Sequence, residues 1–163
     1  MDKTEKEILD LLLQNSRYLD SEIASMLQID EAQVSKSIKS MVDRGIIRRF
    51  TTVVNENLIE DYPIKALVEL SIRPEKDTGF DSIASQIYGF SKVVSHYLVS
   101  GKYDFLVVVE GKDHKEIAHF VFDKLATIAN VQSTTTHFIF KSYKEQGVMM
   151  EDDTSEDRIP IMP

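Results

Sequence analysis

Three observations predict an α+β chain in two parts. Residues 1–54 carry helix-period apolar patterns that end in a β-prone stretch. Residues 64–145 alternate strand and helix patterns in the order β-α-β-β-α-β. Between them, residues 55–63 are polar, acidic and weakly periodic, as a linker would be. A final stretch, residues 146–163, is acid-rich with Pro160 near its end and reads as a disordered tail.

Thr4-x-x-Glu7 has the form of a capping box, and Ile8, Leu9, Leu12 and Leu13 follow at helical spacing to about Gln14. Asp20 or Ser21 is suited to cap a second helix, whose inner face is Ile23, Ala24 and Leu27. A turn at Gln28-Ile29 precedes Asp30-x-x-Gln33, which opens a third helix with Val34, Ile38, Met41 and Val42 on its apolar face. Two short helices joined by a tight turn make a helix-turn-helix. Gly45 stands where the third helix needs a left-handed residue to stop. Ile46 to Val54 then predicts a strand serving as a wing.

The side of the third helix away from its apolar positions carries Gln33, Lys36, Lys39 and Ser40, with Ser37 on the flank. These side chains can contact base edges or phosphates, and Gln33 lies in the first turn, where a recognition helix reads bases. On an isolated helix such a face is more often merely solvated. The helix and turn before it shift the balance toward double-stranded DNA. Arg48 and Arg49, on the expected wing, suit phosphate contacts.

The formal charge of −8 is unusual for a nucleic-acid binder, so its distribution matters. Residues 1–55 hold eight basic and nine acidic side chains, and residues 64–145 hold ten of each. The excess therefore sits in the linker and the tail. No apolar run approaches the roughly 18–20 residues that span a bilayer, and the first residues lack the layout of a signal peptide. The sequence has no cysteine, which excludes disulfides and thiolate metal sites. The expectation is a cytoplasmic protein with no membrane contact.

In the second part, Ala66, Val68, Leu70 and Ile72 alternate with Leu67, Glu69 and Ser71 as a half-buried strand that Pro74 ends. Phe80, Ile83, Ala84, Ile87 and Tyr88 make an amphipathic helix after Gly79. Strands at Val93–Val99 and Phe105–Val109 flank a turn at Gly101-Lys102-Tyr103-Asp104. Asp113-x-x-Glu116 caps a second helix with Ile117, Val121, Leu125 and Ile128 inward, and Val131–Phe140 is the last strand. This doubled βαβ order is the ferredoxin-like plan, with both helices on one face of the sheet. The other face, rich in Val, Leu and Ile, calls for a second copy to cover it, which would pair two DNA-reading heads.

The runs Ile8-to-Gln14, Ser21-to-Asp43 and Arg44-Gly45-Ile46-Ile47 closely resemble the Lrp/AsnC (leucine-responsive, feast/famine) family of transcriptional regulators. Gly101-Lys102-Tyr103-Asp104 is similar to that family's Gly-x-Tyr-Asp turn, and Thr134-Thr135-Thr136 to its Thr-x-Thr last strand. The resemblance covers residues 2 to about 145. It implies homodimers assembling further, often to octamers, with an amino acid as effector bound between dimers. Carried over, the candidate ligand contacts are Gly101, Tyr103, Asp104, Thr134 and Thr136. Asp104 would accept from an ammonium, while hydroxyls and backbone N–H groups donate to a carboxylate. Alternatively, Tyr103 and Asp104 only stabilise a turn, and the threonines are simply good strand formers. The chain departs from the family where Ser37, Lys39 and Ser40 replace an arginine-rich stretch, which implies weaker phosphate anchoring.

The resemblance also admits an enzyme, because siroheme decarboxylases share this two-part plan and depend on histidine. The candidates are His96, His114, His119 and His137, of which His96 and His137 are expected on opposite edges of the sheet. The Gly-Lys-Tyr-Asp turn favours the regulators. His114 and His119 are five apart on a helix and do not share a face, so neither a metal site nor any other bound cofactor is expected.

Overall fold

The computed structural model describes residues 1–73 and 79–151, so Pro74 lies outside the described residues. The chain forms two compact units, Met1–Val54 and a second beginning at Asn55.

The first unit is three helices, α1 (Lys3–Gln14), α2 (Asp20–Leu27) and α3 (Glu31–Asp43). Ile8, Leu12, Ile23, Ala24, Val34, Met41 and Ile47 form its buried core. Leu13 and Val42, expected inward, are exposed, because each sits at the margin of its helix's apolar stripe. The α1 cap lies two residues earlier than the sequence suggests. Asp2 Oδ1 accepts from the Glu5 amide at 2.7 Å, and Glu5 Oε2 accepts from the Asp2 amide. Neither Asp20 nor Ser21 caps α2. Leu19 holds that position, and the Glu22 carboxylate accepts from its amide at 2.8 Å. Asp30 does cap α3, accepting from the Ala32 amide.

Gly45, at φ +71, ends α3 in a left-handed turn. Its amide donates to Val42 and that of Ile46 to Met41, the paired bonds of a Schellman stop. The expected wing strand over Ile46–Val54 does not form: these residues contain no strand. A strand needs a partner ladder. Apart from the helix stop, the Ser16 hydroxyl ties this segment to the unit by donating to the Thr51 carbonyl.

The second unit holds β1 (Ile64–Ile72), α4 (Asp81–Tyr88), β2 (Val93–Leu98), β3 (Phe105–Gly111), α5 (His114–Phe120) and β4 (Val131–Phe138). The sheet order is β2-β3-β1-β4, every neighbour antiparallel. This is the ferredoxin-like arrangement, with β2 and β4 at the edges. Ala66, Val68, Leu70 and Ile72 pack with Phe105, Val107 and Val109 against Ile83 and Ile87 of α4 and Ile117 of α5. Gly111 is required at the end of β3, since a Cβ there would lie 2.8 Å from Ile117 Cγ1. Past α5 the helix widens into a π turn, Val121–Leu125, closed by the Ala126 amide on the Val121 carbonyl. Leu125 is fully buried there, while Phe122 is 75% exposed.

On the other face the register lines up Leu67 with Val108 and Glu69 with Leu106, and Glu69 reaches His137 at 3.2 Å. Of the expected disordered tail, residues 152–163 lie outside the described residues, and its first residues are ordered instead. Residues 144–149 form a two-strand hairpin, β5 (Lys144–Glu145) and β6 (Val148–Met149), and Met150 is buried. Asn55 Nδ2 donates to the Met150 carbonyl at 2.7 Å, so apolar anchoring outweighs the acid-rich composition up to that point.

Candidate nucleic-acid interface and effector site

The outer face of α3 presents Gln33, Lys36 and Lys39 fully exposed, with Ser37 and Ser40 half-buried beside them. Val34 and Met41, fully buried on the opposite side, fix this rotation. Lys39 donates to Asp43 at 2.8 Å, an exposed pair one turn apart. Such an exposed pair is weak, so the ammonium is readily released from it. Lys36 and Lys39 border a shallow cleft with Asp20, Asp30, Glu31, Ala32 and Ser35. Ser35, outside the sequence-based candidates, is exposed four residues before Lys39 on α3.

Both Arg48 and Arg49 are exposed, but on an irregular segment. The Arg48 guanidinium folds over the end of α3, where a Cβ on Gly45 would meet its Cζ at 3.2 Å. There it also faces the negative end of the helix dipole. Arg44 is a second residue that pattern reading overlooked. Its Nη2 donates to Glu5 Oε1 at 2.5 Å, joining the end of α3 to the start of α1. That bond, followed in size by opposing burial and then the Asp2 amide, holds the Glu5 carboxyl below its ordinary range.

In the second unit, Gly101 has φ +141 with open space around it, and Tyr103 and Asp104 are half-buried. Asp104 is tied firmly into the fold. Its carbonyl accepts from Val99, its amide donates to Leu70, and its Oδ2 accepts from the Ile72 amide at 2.7 Å. A register shift between Ser71 and Ile72 of β1 marks the same place. Thr134 pairs with Leu70 and Thr136 with Val68, so both share the helix-bearing face. Asp104 and Thr134 thus flank the end of β1 from its two sides, with Thr136 two residues further along β4. One Asp104 oxygen is committed to the Ile72 amide.

Among the histidines, His96 and His137 do stand on the two edge strands. Among the described residues, no group of three or more His, Cys, Asp or Glu could hold a metal ion. No helix of the described residues is long and apolar enough to cross a membrane.

A helix-turn-helix head followed by a ligand-binding α+β unit is the plan of a class of DNA-binding regulators. Residues 1–48 match the winged helix-turn-helix DNA-binding family model, and residues 65–149 match the Lrp/AsnC ligand binding domain. The chain belongs to the Lrp/AsnC family. It is 36% identical to the uncharacterized HTH-type transcriptional regulator YugG of Bacillus subtilis, over 98% of this chain and 96% of that one. The structure is similar to that of a transcriptional regulator from Neisseria meningitidis in complex with L-Met. That match has 26% identity and a TM-score of 0.71, covering 89% of this chain and 93% of the other. It also matches Escherichia coli AsnC in fold, with a TM-score of 0.69 at 21% identity, covering 89% and 95% of the two chains. These matches are to DNA-binding regulators, and the chain is a regulator rather than an enzyme.

Proposed function

We propose that the protein is a cytoplasmic, sequence-specific transcriptional regulator whose grip on DNA changes when an amino acid binds the second unit. The observation that carries this reading is the row of exposed polar and basic side chains on α3, held outward by Val34 and Met41. Gln33 and Ser37 read base edges. Lys36, Lys39, Ser40, Arg48 and Arg49 contact phosphates. A homodimer closed over the open sheet face offers two α3 helices, about 34 Å apart as the duplex repeat requires. Dimers assemble further, to an octamer or a similar ring.

The effector is an amino acid, as the L-Met complex of the Neisseria relative supports. It sits by the turn Gly101–Asp104 and beside Thr134 and Thr136, with its ammonium on Asp104 Oδ1. Binding shifts assembly only through unequal affinity for the alternative assemblies.

The test is a salt titration of binding to the DNA upstream of the protein's own gene. Tight binding that falls steeply with salt and resists competitor DNA is expected. Replacing both Arg48 and Arg49 by alanine should weaken binding to every sequence and flatten the log–log salt slope by about 1.8. An unchanged slope removes these arginines from the interface, and binding no better than to random DNA overturns the sequence-specific reading.

A further inference from the structure

A groove of about 420 Å³ lies on the helix-bearing face between α4 and the edge strand β2. Its size falls within the range of small-molecule sites. Its walls are Phe80, Ala84, Val93, Leu98, Phe105 and His96, and among the described residues its only charged lining residue is Asp81. The rings form a chain: Phe80 meets Phe105 edge-on at 5.6 Å, and His96 meets Phe105 edge-on at 4.5 Å. Such edge-to-face rings accept a further ring favourably.

His96 gives the groove a polar requirement. Its Nε2 is shut away from water and has no hydrogen-bond partner. A buried polar atom in that state calls for an explanation. Burial pushes the imidazole below its ordinary pKa, so the ring is uncharged near neutral pH. With its proton on Nδ1, Nε2 is an acceptor that needs a donor. Leu98, which also lines the groove, is 62% exposed.

From this arrangement we infer that the groove is a ligand site distinct from the amino-acid site, taking a small uncharged aromatic molecule whose hydroxyl donates to His96 Nε2. Asp81 on the rim repels carboxylates, and among the described residues no lining cation offsets it. A ligand whose only charge is a carboxylate is therefore a poor occupant. The groove lies along β2, next to the turn Gly101–Asp104, whereas Thr134 and Thr136 lie on β4 at the other edge of the sheet.

The test uses the full chain and p-cresol as the probe, followed by the imidazole nitrogen resonances of His96. Saturable shifts of those resonances are expected, with a dissociation constant on the order of 1 mM for so small a molecule. 4-Methylbenzoate should bind about tenfold more weakly or worse, because of Asp81. Ala84→Leu, which fills the groove without touching His96, should weaken p-cresol by a similar factor. His96→Phe should erase the preference for p-cresol over toluene. If that variant fails to fold, Ala84→Leu decides alone. Undiminished p-cresol binding by Ala84→Leu, equal binding of 4-methylbenzoate, or no shift at His96 overturns the site.

Discussion

The two units solve the same problem with different means. Among the described residues, the core cluster of the head holds seven apolar side chains, and that of the sheet unit holds thirteen. Small cores leave little margin over conformational entropy. The head adds an ion pair that spans it from end to end: Glu5, 8% exposed, holds Arg44, 39 residues away. The sheet unit has ion pairs too, including Lys65 with Glu56 and Lys92 with Glu116, but they lie beside a core that is already continuous. The difference teaches that a charge matters most where apolar area is scarce. The pair also joins the end of α3 to α1, so it helps to hold α3 in place.

The largest expected effect falls on the apolar side of this comparison. Phe105→Ala should cost the sheet unit about 3–5 kcal/mol, since Phe105 is fully buried between Phe80 and His96. Denaturant unfolding followed by hydrogen exchange, resolved by unit, measures it. A loss confined to the head's amides would break the comparison.

Next in size is Arg44→Met. It leaves the Glu5 carboxylate nearly buried without its partner, and the head should lose protection at neutral pH. The pH dependence sharpens the point. Glu5 has a folded pKa held below its ordinary 4.5, chiefly by the hydrogen bond from Arg44. Its stabilising contribution is therefore full above about 4.5 and fades as pH falls through the depressed folded value. Head stability should drop in that acid window in the natural protein and vary less there in Arg44→Met. Parallel acid profiles for the two would show that the pair does not brace the head.

A smaller effect is expected from Lys65→Met in the sheet unit. Burial alone would lower the Lys65 pKa, but the hydrogen bond and charge of Glu56 outweigh it and raise the value above 10.5. Its contribution is present below 10.5 and is lost as pH rises through the raised folded value. The natural protein should thus lose sheet-unit stability in strong alkali, and the variant should lose less. Smallest of all is Lys3→Ala. Lys3 and Glu7 are an exposed pair at 3.5 Å, and thermal melting should hardly register its loss.

What was legible in the sequence follows the same division. β1 could be read because Ala66, Val68, Leu70 and Ile72 face one core, and a period of two needs no distant information. The outward face of α3 was legible for the same reason, through Val34 and Met41. The start of α1 was not, because Glu5 is claimed by Asp2 and by Arg44 far along the chain. The stretch Ile46–Val54 has strand-forming residues, yet strand formation depends on a partner that composition does not reveal. The hairpin at residues 144–149 was hidden in the same way. Its anchor is the backbone carbonyl of Met150 on Asn55, a contact between positions 95 residues apart. At the candidate effector site, Asp104 was legible as a residue type. Its prior commitment to the Ile72 amide was not, since that bond is visible only once β1 and the turn are side by side.

The π turn at Val121–Leu125 bears on how this chain tolerates change in length. A π turn is an α-helix that has absorbed one additional residue in place. Deleting a residue there would leave a regular helix, and by local criteria a better one. The wide turn accommodates that residue locally, so the helix beyond would keep its facing. Leu125 would stay in the core, and the approach to β4 would keep its aim. The irregularity thus takes up one residue of length in place, letting a helix that packs on Gly111 and a strand start at Val131 belong to the same chain.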